Sequence, residues 1–410
     1  MEQINRDIIA VGAGDYYFKL VIPTLKFLQS KGAVGKIVAV DINDMPANNP
    51  SDIPFYKRSQ NESLSNAVAK VSSTHSLDRP IVILGHANHL HTPDAMDLLN
   101  NSPNTQILVE KPYCINDAQY KELSAAMIMN KDKIGGLEYY LTMKAVPVEL
   151  LFGLVKPNSF FHTEPGILKL HNNATLASLD GIFDEVIGKP THVTADVLEG
   201  VGSYATVAHR NLSIVDTRLG GGMIQDLALH AMSPLVAIMD TIGYFSDATK
   251  FKTAYCNEYV NLALDKGVPK EFIGESYAEF SYITNKGVPI DVRVGKYIFN
   301  EQNMRRIKIE GTRGSVLFDM TENILAIQKG ESVNGIVPLL EADKSGNVVP
   351  KYLAVLWSGI ESLNGRNPFT FDTSNMSMNT QELVLDLLAK KPDDVAYHKI
   401  NAIPDTIFRE

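Results

Sequence analysis

Five short apolar runs alternate with longer amphipathic stretches between residues 7 and 140: Asp7 to Val11, Lys36 to Val40, Ile81 to Leu84, Ile107 to Val109 and Ile134 to Tyr140. A strand that is apolar on both faces is stable only where helices cover both sides of its sheet. This alternation therefore predicts a parallel sheet in an α/β domain. The intervening stretches carry helix-start signals. Asn116 with Gln119 forms a capping-box pair ahead of a helix from Tyr120 to Met129, and Thr92-Pro93 supplies a cap followed by proline at the first helical position.

The ends of these runs are where chemistry collects. The first ends in Gly12-Ala13-Gly14, followed by Asp15 and Tyr16 and then a helical pattern. Two glycines there allow a tight turn and bring backbone close to a pyrophosphate at a helix N-terminus, although a Gly-x-Gly also occurs in ordinary turns. Tyr17 stands at the third small position of the fingerprint. The second run ends in Asp41, which either hydrogen-bonds ribose hydroxyls or caps its own turn. If it faces the ribose, a 2'-phosphate would meet a like charge; at about 4 Å and an effective dielectric near 20 that repulsion is roughly 4 kcal/mol per unit charge. NAD is therefore expected in preference to NADP. The fourth run ends abruptly in Glu110-Lys111-Pro112, delivering a lysine to the mouth of the sheet, where it is either catalytic or simply solvated.

Beyond about residue 150 the pattern changes to alternating apolar and polar residues over His192 to Leu198, Glu275 to Ile283, Val288 to Tyr297, Arg305 to Glu310 and Ser315 to Asp319. Asn285-Lys286-Gly287 and Gly311-Thr312-Arg313-Gly314 read as turns, so a mostly antiparallel sheet joined by hairpins is expected, with a further helix over Thr380 to Lys391. The division predicted is residues 1–140 for one domain and 141–410 for the other, consistent with a chain of 410 residues that is too long for one ordinary core. The stretch from Lys156 to Lys189 contains Phe160, Phe161, His162 and His171. It is either a packed surface insertion, part of a substrate pocket or a subunit contact.

In this second half Gly220-Gly221-Gly222 precedes Asp226 and His230. Four residues apart on a helix, the acid and the histidine share a face, and the glycines let backbone or substrate approach. They form either a surface pair or a proton relay, for which histidine's ordinary pKa near 6.5 is suited.

Composition excludes several classes. A formal net charge of -9 creates no basic field for nucleic acid or anionic membrane. Cys114 and Cys256 are too few for a disulfide scaffold and read as small buried hydrophobes in a reduced, cytoplasmic setting. No targeting peptide and no run of 18 unbroken apolar residues is apparent. His86, His89 and His91 have no cysteine or acid at ligand spacing, so no metal is expected.

In order and context these pieces resemble the glucose-fructose oxidoreductase and inositol dehydrogenase family over residues 7 to about 320. The matching positions are Gly12 and Gly14, Asn88 and His91, Glu110-Lys111-Pro112, the block from Gly220 to His230, and the late hairpin Ile309 to Ser315. The chain departs from the pattern at Tyr17 and at Lys144, which stands where the family commonly has arginine. The resemblance implies a Rossmann dinucleotide-binding domain followed by an α/β domain built on a large open sheet, with the active site in the cleft between them and a homodimer or homotetramer formed through that sheet. It implies Lys111, Asp226 and His230 as the catalytic trio, the lysine polarising the reacting oxygen and His230 exchanging its proton. It also raises the expectation of a cis peptide at Lys111-Pro112. Gly12, Ala13, Gly14, Asp15, Tyr16, Asp41, Asn88, His91, Glu110 and Lys111 would line the dinucleotide. Lys144, Tyr204, His209 and Arg210 are the candidate contacts to a polyhydroxylated small-molecule substrate, a sugar, sugar derivative or cyclitol. Two other readings remain: a reductase of an activated keto-sugar, and a dinucleotide-binding regulator or sensor that keeps the fold without the chemistry.

Overall fold

The computed structural model describes residues 6–14, 17–45, 52–137, 153–156, 183–200, 214–298, 303–319, 321, 324–329, 332–338 and 352–390. The chain divides into two compact units, one comprising residues 1–143, 155–168 and 341–378, the other 144–154, 169–340 and 379–410.

The first unit is built on β1 (Arg6–Val11), α1 (Ile22–Ser30), β2 (Val34–Asp41), β3 (Phe55–Lys57), α2 (Leu64–His75), β4 (Ile81–Leu84), α3 (His91–Asn101), β5 (Gln106–Glu110), α4 (Asp117–Met129) and β6 (Ile134–Leu137). Its six strands are all parallel in the order β3-β2-β1-β4-β5-β6. That is the doubly wound order in which the chain reverses direction between β1 and β4, and ligands of such sheets sit beyond the carboxyl ends of the strands at this reversal. Every residue of β4 is fully buried, as the uninterrupted apolar run requires. The expected strands are present. β3 was not expected, because three residues are too few to show any periodicity.

Two helix starts test the capping signals. Asn116 Oδ1 accepts from the Gln119 amide at 3.0 Å and Gln119 Oε1 accepts from the Ile115 amide at 3.0 Å, so the box forms, with its return bond one residue earlier than the standard form. Thr92 does not cap α3, which already begins at His91. Its hydroxyl instead donates to the Tyr113 carbonyl at 3.1 Å, so a residue expected to start a helix ties that helix to the loop after β5.

The second unit contains α5 (Phe183–Val186), β7 (Pro190–Gly200), α6 (Leu229–Ala237), α7 (Met239–Ile242), β8 (Lys250–Ala254), α8 (Asn257–Asp265), β9 (Tyr277–Ile283), β10 (Pro289–Ile298), β11 (Met304–Gly311), β12 (Gly314–Asp319), β13 (Ile324–Lys329) and β14 (Ser332–Pro338). Its eight strands run in the order β14-β13-β12-β11-β7-β10-β9-β8. The sheet is mostly antiparallel, as alternation predicted, except for the parallel pair β7 and β10 at its centre. Helix α6 packs across those two strands.

Two late helices follow, α9 (Leu353–Leu363) and α10 (Thr373–Ala389). Helix α9 belongs to the first unit and covers the β5–β6 end of its sheet, so closely that a Cβ on Gly359 would lie 2.6 Å from Leu137. Cys114 and Cys256 are both buried and form no disulfide. Among the described residues no helix is long and apolar enough to cross a membrane.

Candidate active site

The turn after β1 meets the turn after β4 at the chain reversal. Gly12 has φ of +80°, and a Cβ there would lie 2.4 Å from the His86 amide nitrogen, so both its conformation and its neighbour demand glycine. A Cβ on Gly14 would meet nothing within 4 Å among the described residues, which leaves that side of the turn open to a phosphate group. The amides of Gly12 and Ala13 donate to the Val40 carbonyl and that of Gly14 to the Gly12 carbonyl, so these three hold the turn itself. Asp15 and Tyr16 lie outside the described residues.

Tyr17 opens a π-helical turn that runs into α1. Its ring is only 1% exposed and occupies the space above Gly85, where a Cβ would lie 2.0 Å from the Tyr17 hydroxyl. The missing small residue of the fingerprint is thus compensated across the sheet: the bulk at position 17 is accommodated by the absence of bulk at position 85. Burial, and then the nearby Glu110 carboxylate, push the Tyr17 hydroxyl well above the usual tyrosine range.

Asp41 ends β2 and is buried. Its Oδ1 accepts from the Asn43 amide at 2.8 Å and from Asn43 Nδ2 at 2.9 Å, so the acid does cap its own turn, with one of its two oxygens. Asn88 starts a short 3-10 turn that leads into α3. His91 is buried with Nδ1 2.8 Å from the Pro112 carbonyl and Nε2 3.1 Å from the His86 carbonyl; burial first, and then the charge of His86, push its pKa down to about 3. The neutral ring can donate to only one of these carbonyls. His91 therefore braces the loop after β5. His86 itself pairs with Asp94 at 2.6 Å, and Arg58 Nη1 reaches the same carboxylate at 3.3 Å.

Glu110 and Lys111 stand at the end of β5, and the Lys111-Pro112 peptide is cis. Glu110 is buried, and burial raises its pKa to about 7 against the opposing effects of the Lys111 charge and the Lys111 amide. A carboxyl in this state changes protonation near neutral pH, which is where general acid-base groups are useful.

In the second unit the triple glycine and the acid that follows it form one locally determined structure. Gly222 has φ of +106°, and a Cβ there would lie 2.8 Å from Glu275 Oε1. That carboxylate oxygen accepts from the Ile224 amide at 2.8 Å, satisfying a donor at the start of the helix with a buried acid. The close approaches these glycines permit are thus to the protein itself, Gly222 to Glu275 and Gly221 to the Asp216 backbone. Asp226 sits in a π-helical turn, Ile224–Ala228, and His230 in the first turn of α6, where it is buried. Single π turns inside helices recur at functional sites.

Asp226 has a partner that the sequence reading did not contain. Lys296 Nζ on β10 lies 2.6 Å from Asp226 Oδ2 and 3.5 Å from Glu199 Oε2 on β7, and Arg305 Nη2 on β11 donates to Glu199 Oε1 at 2.7 Å. Two acids and two bases alternate in a chain across three adjacent strands and the helix above them. Burial pushes Glu199 up, but Lys296 and Arg305 outweigh it and hold the carboxyl below its ordinary range.

Lys144, Tyr204, His209 and Arg210 lie outside the described residues, as do Phe160, Phe161, His162 and His171 of the insertion. Among the described residues no group of three or more His, Cys, Asp or Glu side chains could hold a metal ion.

No protein-family model matches the chain, and no curated protein matches its sequence. Solved structures do match. KijD10, a 3-ketoreductase from Actinomadura kijaniata in complex with TDP-benzene and NADP, superposes with a TM-score of 0.58 at 12% identity, covering 93% of this chain and 96% of its own. GenD2 from gentamicin A biosynthesis, in complex with NAD, gives 0.63 at 12% identity over 96% of each chain. Biliverdin reductase from Synechocystis, in complex with biliverdin and NADP+, gives 0.59 at 15% identity over 94% of this chain and 98% of its own. The chain has the fold of these three proteins.

This fold is the one that the motif resemblance implied, a doubly wound parallel sheet and a second, mostly antiparallel one. Within it, Lys296, Glu199, Arg305 and Glu275 are the residues that reading motifs alone missed. A signal for three of them was present. On β10 the buried positions Ile290, Val292 and Val294 are continued in the same parity by Lys296; on β7 Val193, Ala195 and Val197 are continued by Glu199; on β11 Ile309 and Ile307 are continued by Arg305. A charge at a core-facing parity is a buried charge, and buried charges need partners.

Proposed function

We propose that the chain is a nicotinamide-dependent oxidoreductase that moves hydride between the cofactor and a secondary alcohol or ketone of a sugar, sugar derivative or cyclitol. The observation that carries this is the carboxyl rim of the parallel sheet. There the open side of Gly14, the acid at the end of β2, and the buried Glu110 with Lys111 next to it at the end of β5 lie at the ends of strands flanking the chain reversal. These residues fit a dinucleotide: a glycine turn with room for phosphate and a carboxylate at the ribose-reading position. Bound there, nicotinamide supplies or accepts the hydride. On this reading Lys111 polarises the reacting oxygen, His230 exchanges its proton, and Asp226 fixes the charge beside that histidine. His91 acts one step back, bracing the loop that carries Lys111. Asp41 keeps one oxygen outside its own turn for a ribose hydroxyl and disfavours a 2'-phosphate, so NAD is the preferred cofactor.

A second reading runs the same chemistry as reduction of a nucleotide-linked keto-sugar, supported by the fold shared with a 3-ketoreductase solved with TDP-benzene. A sensor without chemistry has no use for a lysine, an aspartate and a histidine in these places.

The test is to compare wild type with Lys111→Ala for NADH binding and for turnover of a panel of sugars, inositols and nucleotide sugars. The expected outcome is NADH affinity within about twofold and turnover reduced by about 100-fold or more. Wild-type protein that binds NADH and turns over nothing in the panel would favour the sensor.

A further inference from the structure

We propose that Lys296 is a positioning residue for the reaction: it keeps the Asp226 carboxylate ionised and held in one place. The inference rests on the oxidoreductase reading above and deepens it.

Lys296 occupies a position where the strand calls for an apolar side chain. Its predecessors on the same face of β10, Ile290, Val292 and Val294, are fully buried, and its own side chain is only 3% exposed. Branched apolar residues at both 296 and 226 would continue the pattern and avoid the desolvation of two charges, and such replacements of whole buried ion pairs are often neutral or stabilising. Packing by itself therefore does not call for a charged pair at this place. What it contacts is Asp226, at 2.6 Å, on the helix that also carries His230.

The surroundings decide which way the acid titrates. From its own helix Asp226 has His230 four residues on; from β10 it has Lys296; from β7 the Glu199 carboxylate; from β11, beyond Glu199, the Arg305 guanidinium. Ahead of the helix Glu275 is engaged with the Ile224 amide. Lys296 is the cation in contact with the Asp226 carboxylate, and Arg305 is matched to Glu199. Register explains why the lysine can serve both acids. Lys296 and Glu199 are directly opposite in the parallel pair β10–β7, and the π turn brings Asp226 over that pair. Without Lys296, Asp226, whose side chain is only 14% exposed, would lie beside a second carboxyl with that cation gone, and both partial burial and the like charge favour taking up a proton. A protonated Asp226 can no longer stabilise the imidazolium that forms when His230 accepts a proton.

The expected signature is in the pH dependence. With Lys296→Met and Lys296→Gln, the acidic limb of kcat moves upward by about 1 to 3 pH units, KM for NADH stays within about twofold, and activity recovers at alkaline pH. Lys296→Arg, which keeps the charge, returns the limb to its wild-type position. The measurement is kcat and KM from pH 5.5 to 9.5 on the wild type and all three variants, with circular dichroism at each pH to select folded protein. Unmoved limbs in folded Met and Gln variants overturn the inference alone, because a purely structural lysine would lower thermal stability without shifting a kinetic pKa. A wild type that turns over no substrate overturns the oxidoreductase reading and this inference with it.

Discussion

The carboxyl rim of the parallel sheet and the helix-covered face of the second sheet both bury ionisable groups, and they treat them in opposite ways. At the rim burial is the largest influence, outweighing the Lys111 charge beside Glu110 and joined by the His86 charge beside His91. Glu110 is pushed up to about 7 and His91 down to about 3, each toward its neutral form. On the second sheet Glu199 is largely covered too, its side chain 16% exposed, yet it is held below its ordinary range because Lys296 and Arg305 face it. Burial alone does not set the charge state; the partner that comes with it does. Burial at the rim thereby favours neutral forms, and the cations facing Glu199 on the second sheet favour its charged form.

Breaking the charged chain should have the largest effect. Lys296→Met removes a buried cation from between Asp226 and Glu199, and a loss of about 3 to 5 kcal/mol is expected in urea unfolding. The double variant Lys296→Met/Asp226→Leu should recover most of it, since removing both charges removes the conflict. If the double variant is as unstable as the single one, the pair is not what stabilises this region.

At the rim the effect should depend on pH. Glu110 has a higher pKa folded, about 7, than unfolded, about 4.5, so the folded state holds the extra proton between these values. Its contribution is therefore full below about pH 4.5 and is lost as pH rises through about 7, a change of roughly 3 kcal/mol. Glu110→Gln cannot titrate. Wild type minus variant stability, followed from pH 5 to 8, should fall with rising pH; a flat difference would mean that Glu110 is already ionised in the folded protein.

The smallest effect concerns packing, without charge. Gly85→Ala drives a methyl into the Tyr17 ring and should lose about 1 to 3 kcal/mol in thermal unfolding. Adding Tyr17→Ala should relieve the clash, so that Gly85→Ala is milder in that background than in wild type. Equal losses in the two backgrounds would separate the two positions.

Much of this was legible beforehand for a simple reason: runs apolar on both faces and runs of strict alternation are direct consequences of what each strand touches. Five of the six strands of the first unit's sheet could be read in this way, as could the hairpins at Asn285-Lys286-Gly287 and Thr312-Arg313. Thr92 misled because a hydroxyl beside proline looks like a cap wherever it stands, while its actual partner, the Tyr113 carbonyl, is distant in sequence. Glu275 was read only as the start of a strand, since nothing local links it to the amide of Ile224.

By itself the sequence determined the elements, their parallel or alternating character, and the places where glycines and charged residues interrupt them, because these depend on neighbours a few residues away. Only the tertiary structure decided the partners: Tyr17 over Gly85, His91 beneath Pro112, Glu275 at the start of the helix, and Lys296 between Asp226 and Glu199. Partnership joins residues tens of positions apart, and the register of strands that brings them together is a property of the whole sheet.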